Sequence, residues 1–276
     1  MSPSARSSRV HPAVTTVGKL AALMLPIALL ACAPANQAPS SSSSPAETAS
    51  PAPTALTDEQ LDAEFRAAVV DASVAEPDEI SDQLTAIDPE NDDVVWNKKR
   101  DHVLMTTWTS WDGYDDQIGK KVVLQREAWV TAAPEFKRFC ASYQPDETTP
   151  LTLRLEQLLG LPPHNGKTKV VEMWMPADQL FRPSPDPEID DHTADLEMPP
   201  AKDFKSKADY EAHKDWFNLQ RSLSYDEKNG YPWTRLGYTY DWGNPDSEVG
   251  LSEFVTWAKT PVRIKQVATT EDYCGS

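Results

Sequence analysis

The chain lacks the short motifs that mark the common enzyme classes. It contains no G-x-S-x-G elbow, H-E-x-x-H helix, Walker loop or G-x-G-x-x-G turn, which argues against familiar serine hydrolases, zinc proteases and nucleotide enzymes. Only 10 of the 276 residues are glycine, so backbone turns that cradle phosphate are scarce. The sequence leaves open whether the chain is an enzyme, and it indicates no cofactor.

Long hydrophobic runs are also missing, apart from one short run near the start. Residues 20–31 are apolar and follow a basic segment with Arg6, Arg9 and Lys19 and no acid. This arrangement predicts a signal peptide over residues 1–31, because the run is too short to span a bilayer as a helix. The run ends in Leu29-Leu30-Ala31-Cys32, which resembles the lipobox of bacterial lipoproteins.

The lipobox resemblance implies cleavage before Cys32, a diacylated thiol and a place in the cell envelope. Ala33 after the cysteine favours a periplasm-facing outer-membrane location by analogy with the same family. Two acyl chains meet the requirement for stable anchoring. The alternative is an ordinary secretory signal with a chance cysteine.

Basic residues are in deficit. Lys and Arg number 26 against 43 Asp and Glu, a net charge of −17 that would move to near −20 with the signal removed. A field of this sign repels nucleic acid and anionic head groups. We therefore expect no nucleic-acid partner, membrane attachment only through lipid on Cys32, and a protein partner.

Cysteine is rare, with three in the chain. Once Cys32 is assigned to lipid, Cys140 and Cys274 remain in an oxidising compartment and predict one disulfide. The loop between them spans more than a hundred residues, for which chain entropy suggests roughly 4 to 5 kcal/mol of stabilisation. A metal pair or a nucleophilic thiol is the alternative, but neither cysteine has a histidine or cysteine at ligand spacing.

Composition divides the chain into four parts. Residues 1–31 form the signal peptide, 32–56 a disordered Ser/Pro/Ala spacer, 57–93 an acidic helical segment and 94–276 a globular domain. Thr57 and Gln60 form a capping-box signature, followed by apolar residues at helical spacing. The acidic segment is predicted either to pack on the domain through this stripe or to act as a detachable arm.

The globular part predicts an α+β fold, with a mostly antiparallel sheet and helices packed to one side. Helices are predicted within 133–143, at 150–159 with Thr149 as N-cap, and at 206–222, where Leu223 is placed beside Tyr210, Trp216 and Phe217 on the buried side. Strands are predicted at 102–110, 121–132, 168–175, 232–242, 251–258 and 261–269. The last two strands are expected to form a hairpin across Lys259 and Thr260.

Three blocks of the globular part carry a resemblance. "LRLEQLLGLPPHNGKTKVVEMWM", "YPWTRLGYTYDWG" and "GLSEFV" resemble an exported bacterial protein family with no assigned activity. The resemblance covers most of the chain from about Val94. It implies no catalytic residues.

The second block alternates along a predicted strand. Leu236, Tyr238, Tyr240 and Trp242 share one face, and Trp233, Arg235, Gly237, Thr239 and Asp241 share the other. The pattern is typical of a half-buried strand, and a glycan-stacking platform or polar cleft is the alternative. Gly237 inside the strand predicts a bulge or a close backbone approach.

Charges fall on faces where alternation predicts apolar residues. Glu172, Glu253 and Arg126 are the three cases. If Glu172 and Glu253 converge, they are candidates for the acid and base of glycosidic hydrolysis, with Arg235 and Asp241 in the same cleft. The alternative is a solvent-facing sheet, or ion pairs with Arg126 or Arg235.

An acidic loop partly matches a calcium-binding pattern. Counted from Asp186, the residues Glu188, Asp190 and Glu197 fall at positions 3, 5 and 12. Asp191 occupies the position where glycine makes the turn, and flanking prolines exclude the usual helices. A solvated acidic loop is the simpler interpretation.

Together these features favour a lipid-anchored cell-envelope protein with a binding role, as an inhibitor, immunity factor or assembly component. The alternative is a cofactor-free envelope hydrolase that acts on a glycan or similar polymer.

Overall fold

The structure is a computed structural model that describes residues 54–226 and 228–275. The predicted signal peptide, Cys32 and almost all of the predicted spacer lie outside the described residues. Within the described part, no helix combines the length and the apolar character needed to cross a membrane.

The described residues form a single domain around an antiparallel sheet. Seven strands lie in the order β2-β9-β4-β1-β3-β8-β5, and β6 pairs separately with β7. The strands are β1 (His102–Thr109), β2 (Lys121–Val123), β3 (Ala128–Ala132), β4 (Lys169–Pro176), β5 (Leu180–Phe181), β6 (Tyr238–Tyr240), β7 (Val249–Ser252), β8 (Phe254–Thr256) and β9 (Pro261–Thr269). The predicted α+β class with a mostly antiparallel sheet is confirmed.

Five α-helices are found among the described residues, and all but the first lie against one face of the large sheet. They are α1 (Asp58–Asp71), α2 (Ala133–Ser142), α3 (Leu151–Leu158), α4 (Lys207–Ser224) and α5 (Thr270–Cys274). Trp108 and Val170 on this face pack with α2, α3 and α5, while Phe181 and Val255 pack with α4. Loop residues such as Ile87, Val94 and Ile189 cover the opposite face.

The first helix begins and packs as its sequence indicates. Thr57 caps α1, its hydroxyl accepts a hydrogen bond from the Gln60 amide, and the Gln60 side chain accepts one from the Thr57 amide. The buried stripe of α1 includes Phe65, whose ring lies edge-on to Trp242 at 6.1 Å. In the structure the acidic helix therefore packs on the domain through its apolar stripe.

Two predictions about strands were wrong, one about the continuity of a strand and one about its pairing partner. Residues 121–132 form two separate strands, because a bend at 124–127 sends β2 to the sheet edge and β3 to its interior. The expected hairpin at 259–260 does not form, since β8 pairs with β3 and β5 whereas β9 pairs with β4 and β2. The turn instead bonds to Leu124, whose carbonyl accepts from the Lys259 amide.

The predicted strand over 232–242 is much shorter than expected. Only β6 is regular, because Arg235 and Gly237 have φ values of 61° and 76° and break the alternation. Trp233 and Leu236, placed on opposite faces by the sequence pattern, are both buried. The predicted close approach at Gly237 is confirmed, since a Cβ there would lie 2.5 Å from Arg182 Cδ.

Helix details differ at single residues. Pro150, not Thr149, is the N-cap of α3. Ser206 caps α4 as expected, but Leu223 is 56% exposed while His213 takes a buried place on that helix. The stripe of α4 is thus rotated from the predicted one.

The predicted disulfide is confirmed. Cys140 of α2 and Cys274 of α5 are bonded, with their Cα atoms 4.7 Å apart. The bond joins two helices that pack on the same face of the sheet.

Candidate functional site

A cleft lies between α1, α3 and the connection from β6 to β7. It consists of two adjoining cavities of about 500 and 520 Å³ that share Glu64, Trp242 and Pro245 in their walls. Six acids and one base line it, and we name it the acidic cleft: Glu64, Asp71, Asp146, Asp241, Asp246, Glu248 and Arg154. The imbalance gives this concave surface a negative potential.

The single base of the acidic cleft is already neutralised. Arg154 donates from Nη1 to Asp241 Oδ1 at 2.8 Å and from Nη2 to Oδ2 at 2.6 Å, a bidentate pair. The Asp241 side chain is 3% exposed and that of Arg154 is 15% exposed. The other five carboxylates therefore face the cleft without this cation.

One neutral polar group in the cleft wall has no protein partner. Gln157 on α3 is buried, and its Oε1 accepts no hydrogen bond within the described chain. Gly243 makes this position possible, since a Cβ there would lie 2.2 Å from Gln157 Cδ. The Gln157 side chain therefore packs directly against the backbone of Gly243.

Three carboxylates meet at one end of the cleft. Oxygen atoms of Asp71, Glu79 and Glu248 all lie within 4.8 Å of one another. Two tyrosines hold them: Tyr240 donates to Asp71 at 2.8 Å, and the Tyr238 hydroxyl lies 2.9 Å from both Glu248 Oε1 and the Glu79 carbonyl. This is the group of described residues with the spacing to hold a metal ion.

The titration of this cluster follows from crowding of like charges. Burial raises the pKa of Glu79 and of Glu248, and neighbouring carboxylates raise both further. Burial and the adjacent acids also raise the pKa of Tyr238 and Tyr240, so both stay protonated donors. A positive group placed here would relieve this repulsion, which suits the cleft to cationic surfaces.

The proposed catalytic glutamates do not converge. Glu172 lies on β4 and Glu253 precedes β8, and β1 and β3 separate these two strands in the sheet. Three strand spacings amount to about 14 Å, beyond the roughly 5 to 9.5 Å of glycosidase carboxyl pairs. The structure therefore does not place the two as an acid–base pair.

Glu172 is a structural ion-pair residue. It is 1% exposed and accepts from Lys265 Nζ at 2.7 Å and Tyr273 Oη at 2.8 Å. A β-bulge after Glu172 lies opposite Lys265 and lets its ammonium reach the carboxylate. This matches the predicted alternative of pairing, although the cation is neither Arg126 nor Arg235.

The remaining two candidates also lie in different surroundings. Arg235 donates to the carbonyl of Ser73 at 2.9 Å and covers the Tyr225 ring, whereas Asp241 belongs to the acidic cleft. Glu253 has no ion pair or side-chain hydrogen bond among the described residues, and burial raises its pKa to about 8. Only Asp241 of the four lines the acidic cleft.

The calcium-like loop is organised around a cation from the chain itself. Arg182 is fully buried and donates to the carbonyls of Glu188 at 3.1 Å and Asp191 at 2.9 Å. Its guanidinium also lies 3.7 Å from the Asp191 carboxylate. These oxygens face Arg182, and the carboxylates of Asp186, Glu188, Asp190 and Glu197 are not among the described groups with metal-ligand spacing.

Sequence reasoning did not identify most of the cleft. Asp71, Glu79, Arg154 and Glu248 come from separate segments and form no short motif. The tyrosine alternation at 238 and 240 was the available signal, since both hydroxyls reach the carboxylate cluster.

Comparison with known proteins adds no relative. A scan of family models, a search of curated proteins and a search of solved structures each found no match.

Proposed function

We propose that this protein is exported, tethered to the cell envelope through lipid on Cys32, and binds a protein partner that presents a basic surface to the acidic cleft. The main support for this proposal is the charge of the cleft wall, which contains six carboxylates and one arginine that is already paired. Opposite charge at an interface steers association and selects the partner.

The shape of the site supports a protein ligand. The two cavities together form an open concave surface along α1, with Trp242 beneath it. Interfaces gain affinity from aromatic anchors with a polar rim. A basic side chain that reaches Asp71, Glu79 and Glu248 would find three acceptors at one point.

The test is charge reversal in the cleft. Glu64→Lys with Asp246→Lys should weaken binding of a purified partner, first isolated by cross-linking from envelope extract, by at least tenfold, and mostly by slowing association. Glu211→Lys with Asp215→Lys is the matched control, since it makes the same charge change on an exposed part of α4. Equal loss in both variants would show a nonspecific charge effect and overturn the assignment of the cleft.

The tether is tested separately. Mass spectrometry of the mature protein should show an N-terminal Cys32 with diacylglycerol, and Cys32→Ser should release the protein from membranes. An unprocessed chain, or cleavage elsewhere, would contradict the anchor without affecting the cleft.

A further inference from the structure

Another cavity, separate from the acidic cleft, lies on the helix-bearing face of the sheet. It has a volume of about 370 Å³, within the range of small-ligand pockets of about 300–1,000 Å³. Its floor is formed by Trp174 of β4, and its wall includes Lys99, Lys121 and Arg263. We name it the Trp174 groove.

The floor of this groove is a row of three neighbouring strands. Lys121 of β2 is the direct partner of Arg263 in β9, and Arg263 is the direct partner of Trp174 in β4. Directly opposed residues project from the same face of a sheet. The row from Lys121 to Trp174 thus spans two strand spacings, about 10 Å.

The row contains a like-charge pair that the protein does not neutralise. Lys121 and Arg263 are cross-strand partners, an arrangement that destabilises a sheet. Neither they nor Lys99 has a carboxylate within ion-pair distance in the described chain, although acids greatly outnumber bases. Arg263 uses Nη1 for one bond to the Gly119 carbonyl.

The one acid in the wall is engaged elsewhere. Asp101 accepts from Asn97 Nδ2 at 2.6 Å and lies 2.7 Å from His102 Nδ1. Its side chain is also about half exposed. The cations of the row are therefore left to attract an anion from solution.

Trp174 adds an apolar ring surface beside these cations. Its indole makes no ring contact, cation contact or side-chain hydrogen bond among the described residues, and it is only partly buried. An aromatic face with an adjacent N–H donor suits a ring that carries polar substituents. The groove thus combines ring stacking with charge-assisted donors.

We propose that the Trp174 groove binds an anionic saccharide, with a sugar ring on Trp174 and its carboxylate or phosphate between Lys121 and Arg263. A compact anion in the groove is attracted mainly by the cations next to it. Charges elsewhere on the protein, farther away than a Debye length of about 8 Å, are screened at physiological salt. An anionic bilayer fits this site less well, because a flat surface does not enter a concave groove. The net charge of −17 on the whole chain would also repel it.

The experiment uses the full chain in neutral detergent and follows the tryptophan indole N–H signals by NMR during titration. The probes are a galacturonate trimer, its neutral galactose counterpart, glucose 6-phosphate and phosphatidylglycerol vesicles. The trimer, glucose 6-phosphate or both should shift the Trp174 signal, assigned with Trp174→Phe, and the neutral trimer should bind at least tenfold more weakly. Which anion binds tighter distinguishes carboxylate from phosphate.

Variants connect the signal to the row of residues. Lys121→Gln should weaken binding about tenfold, the typical size of a lost charge-assisted bond, and should raise the unliganded melting temperature because the like-charge pair is gone. Lys205→Gln removes one exposed charge outside the groove and should leave affinity unchanged. Equal effects of both variants, no shift with either anion, or Trp174-dependent binding to vesicles alone would overturn the proposal.

Discussion

Arg154 and Asp241 form a bidentate ion pair in which the carboxylate is almost completely enclosed. Removing one partner of a buried pair leaves a charge without compensation and costs about 3–5 kcal/mol. Arg154→Met should therefore lower the free energy of unfolding by roughly that amount in urea titrations. The double variant Arg154→Met, Asp241→Asn should recover most of the loss, and a double variant as unstable as the single one would contradict this account.

Gly237 is required by both its backbone and its neighbours. Its φ of 76° favours glycine, and a Cβ would meet Arg182 Cδ at 2.5 Å. Gly237→Ala should therefore cost about 2–5 kcal/mol, the sum of left-handed strain and overpacking. Gly119→Ala is the matched control, since Gly119 has φ 80° and open space around it, and it should cost only about 1–2 kcal/mol. Equal losses by thermal unfolding would show that the contact with Arg182 contributes nothing.

Burial of Glu253 predicts that the stability of the fold decreases as the pH rises from about 4 to about 8. Its folded pKa is raised to about 8, so folding favours the protonated form. Stability from this group is full below the unfolded pKa, about 4.3, and is lost as pH rises through about 8. One pKa unit corresponds to about 1.4 kcal/mol, so wild type should lose a few kcal/mol across this window.

The matched variant is Glu253→Gln, which keeps the shape and cannot ionise. It should be more stable than wild type at pH 9 and similar at pH 4.5. Because other buried acids such as Glu135 also have raised pKa values, the difference between the two proteins is the quantity to measure. Parallel curves would exclude Glu253 as the source.

The Cys140–Cys274 bond should contribute by limiting the unfolded chain. The cysteines are 134 residues apart in sequence, for which the chain-entropy model gives about 5 kcal/mol. Cys140→Ser with Cys274→Ser should lower stability toward that limit and loosen α5, as seen by hydrogen exchange at 270–274. If α5 keeps its protection while global stability falls, the bond acts only on the unfolded state.

Local signals in the sequence predicted the helices well. The Thr57–Gln60 and Ser206–Asp209 caps both form in the structure, because capping depends on residues three positions apart. Leu223 was misplaced because helical spacing alone does not say which face meets the sheet. The packing of Trp216 and Phe217 on Val255 decides it.

Strand partners were harder to predict because they depend on distant residues. The short turn at 257–260 is compatible with a hairpin, but Phe254 belongs to the core beside Val130 of β3. The acidic cleft and the Trp174 groove share this difficulty. Lys121, Trp174 and Arg263 have no relation along the chain, and only the sheet order brings them into one row.

Arg182 makes the 182–191 loop independent of any bound metal ion. A loop that relies on a bound ion loosens whenever the ion is scarce, whereas the guanidinium inside the 182–191 loop is covalently attached and cannot be removed by a chelator. Its conformation should therefore be the same at low and high concentrations of divalent cations. The Arg182 guanidinium thus does for this loop what a bound cation would do, and it cannot dissociate.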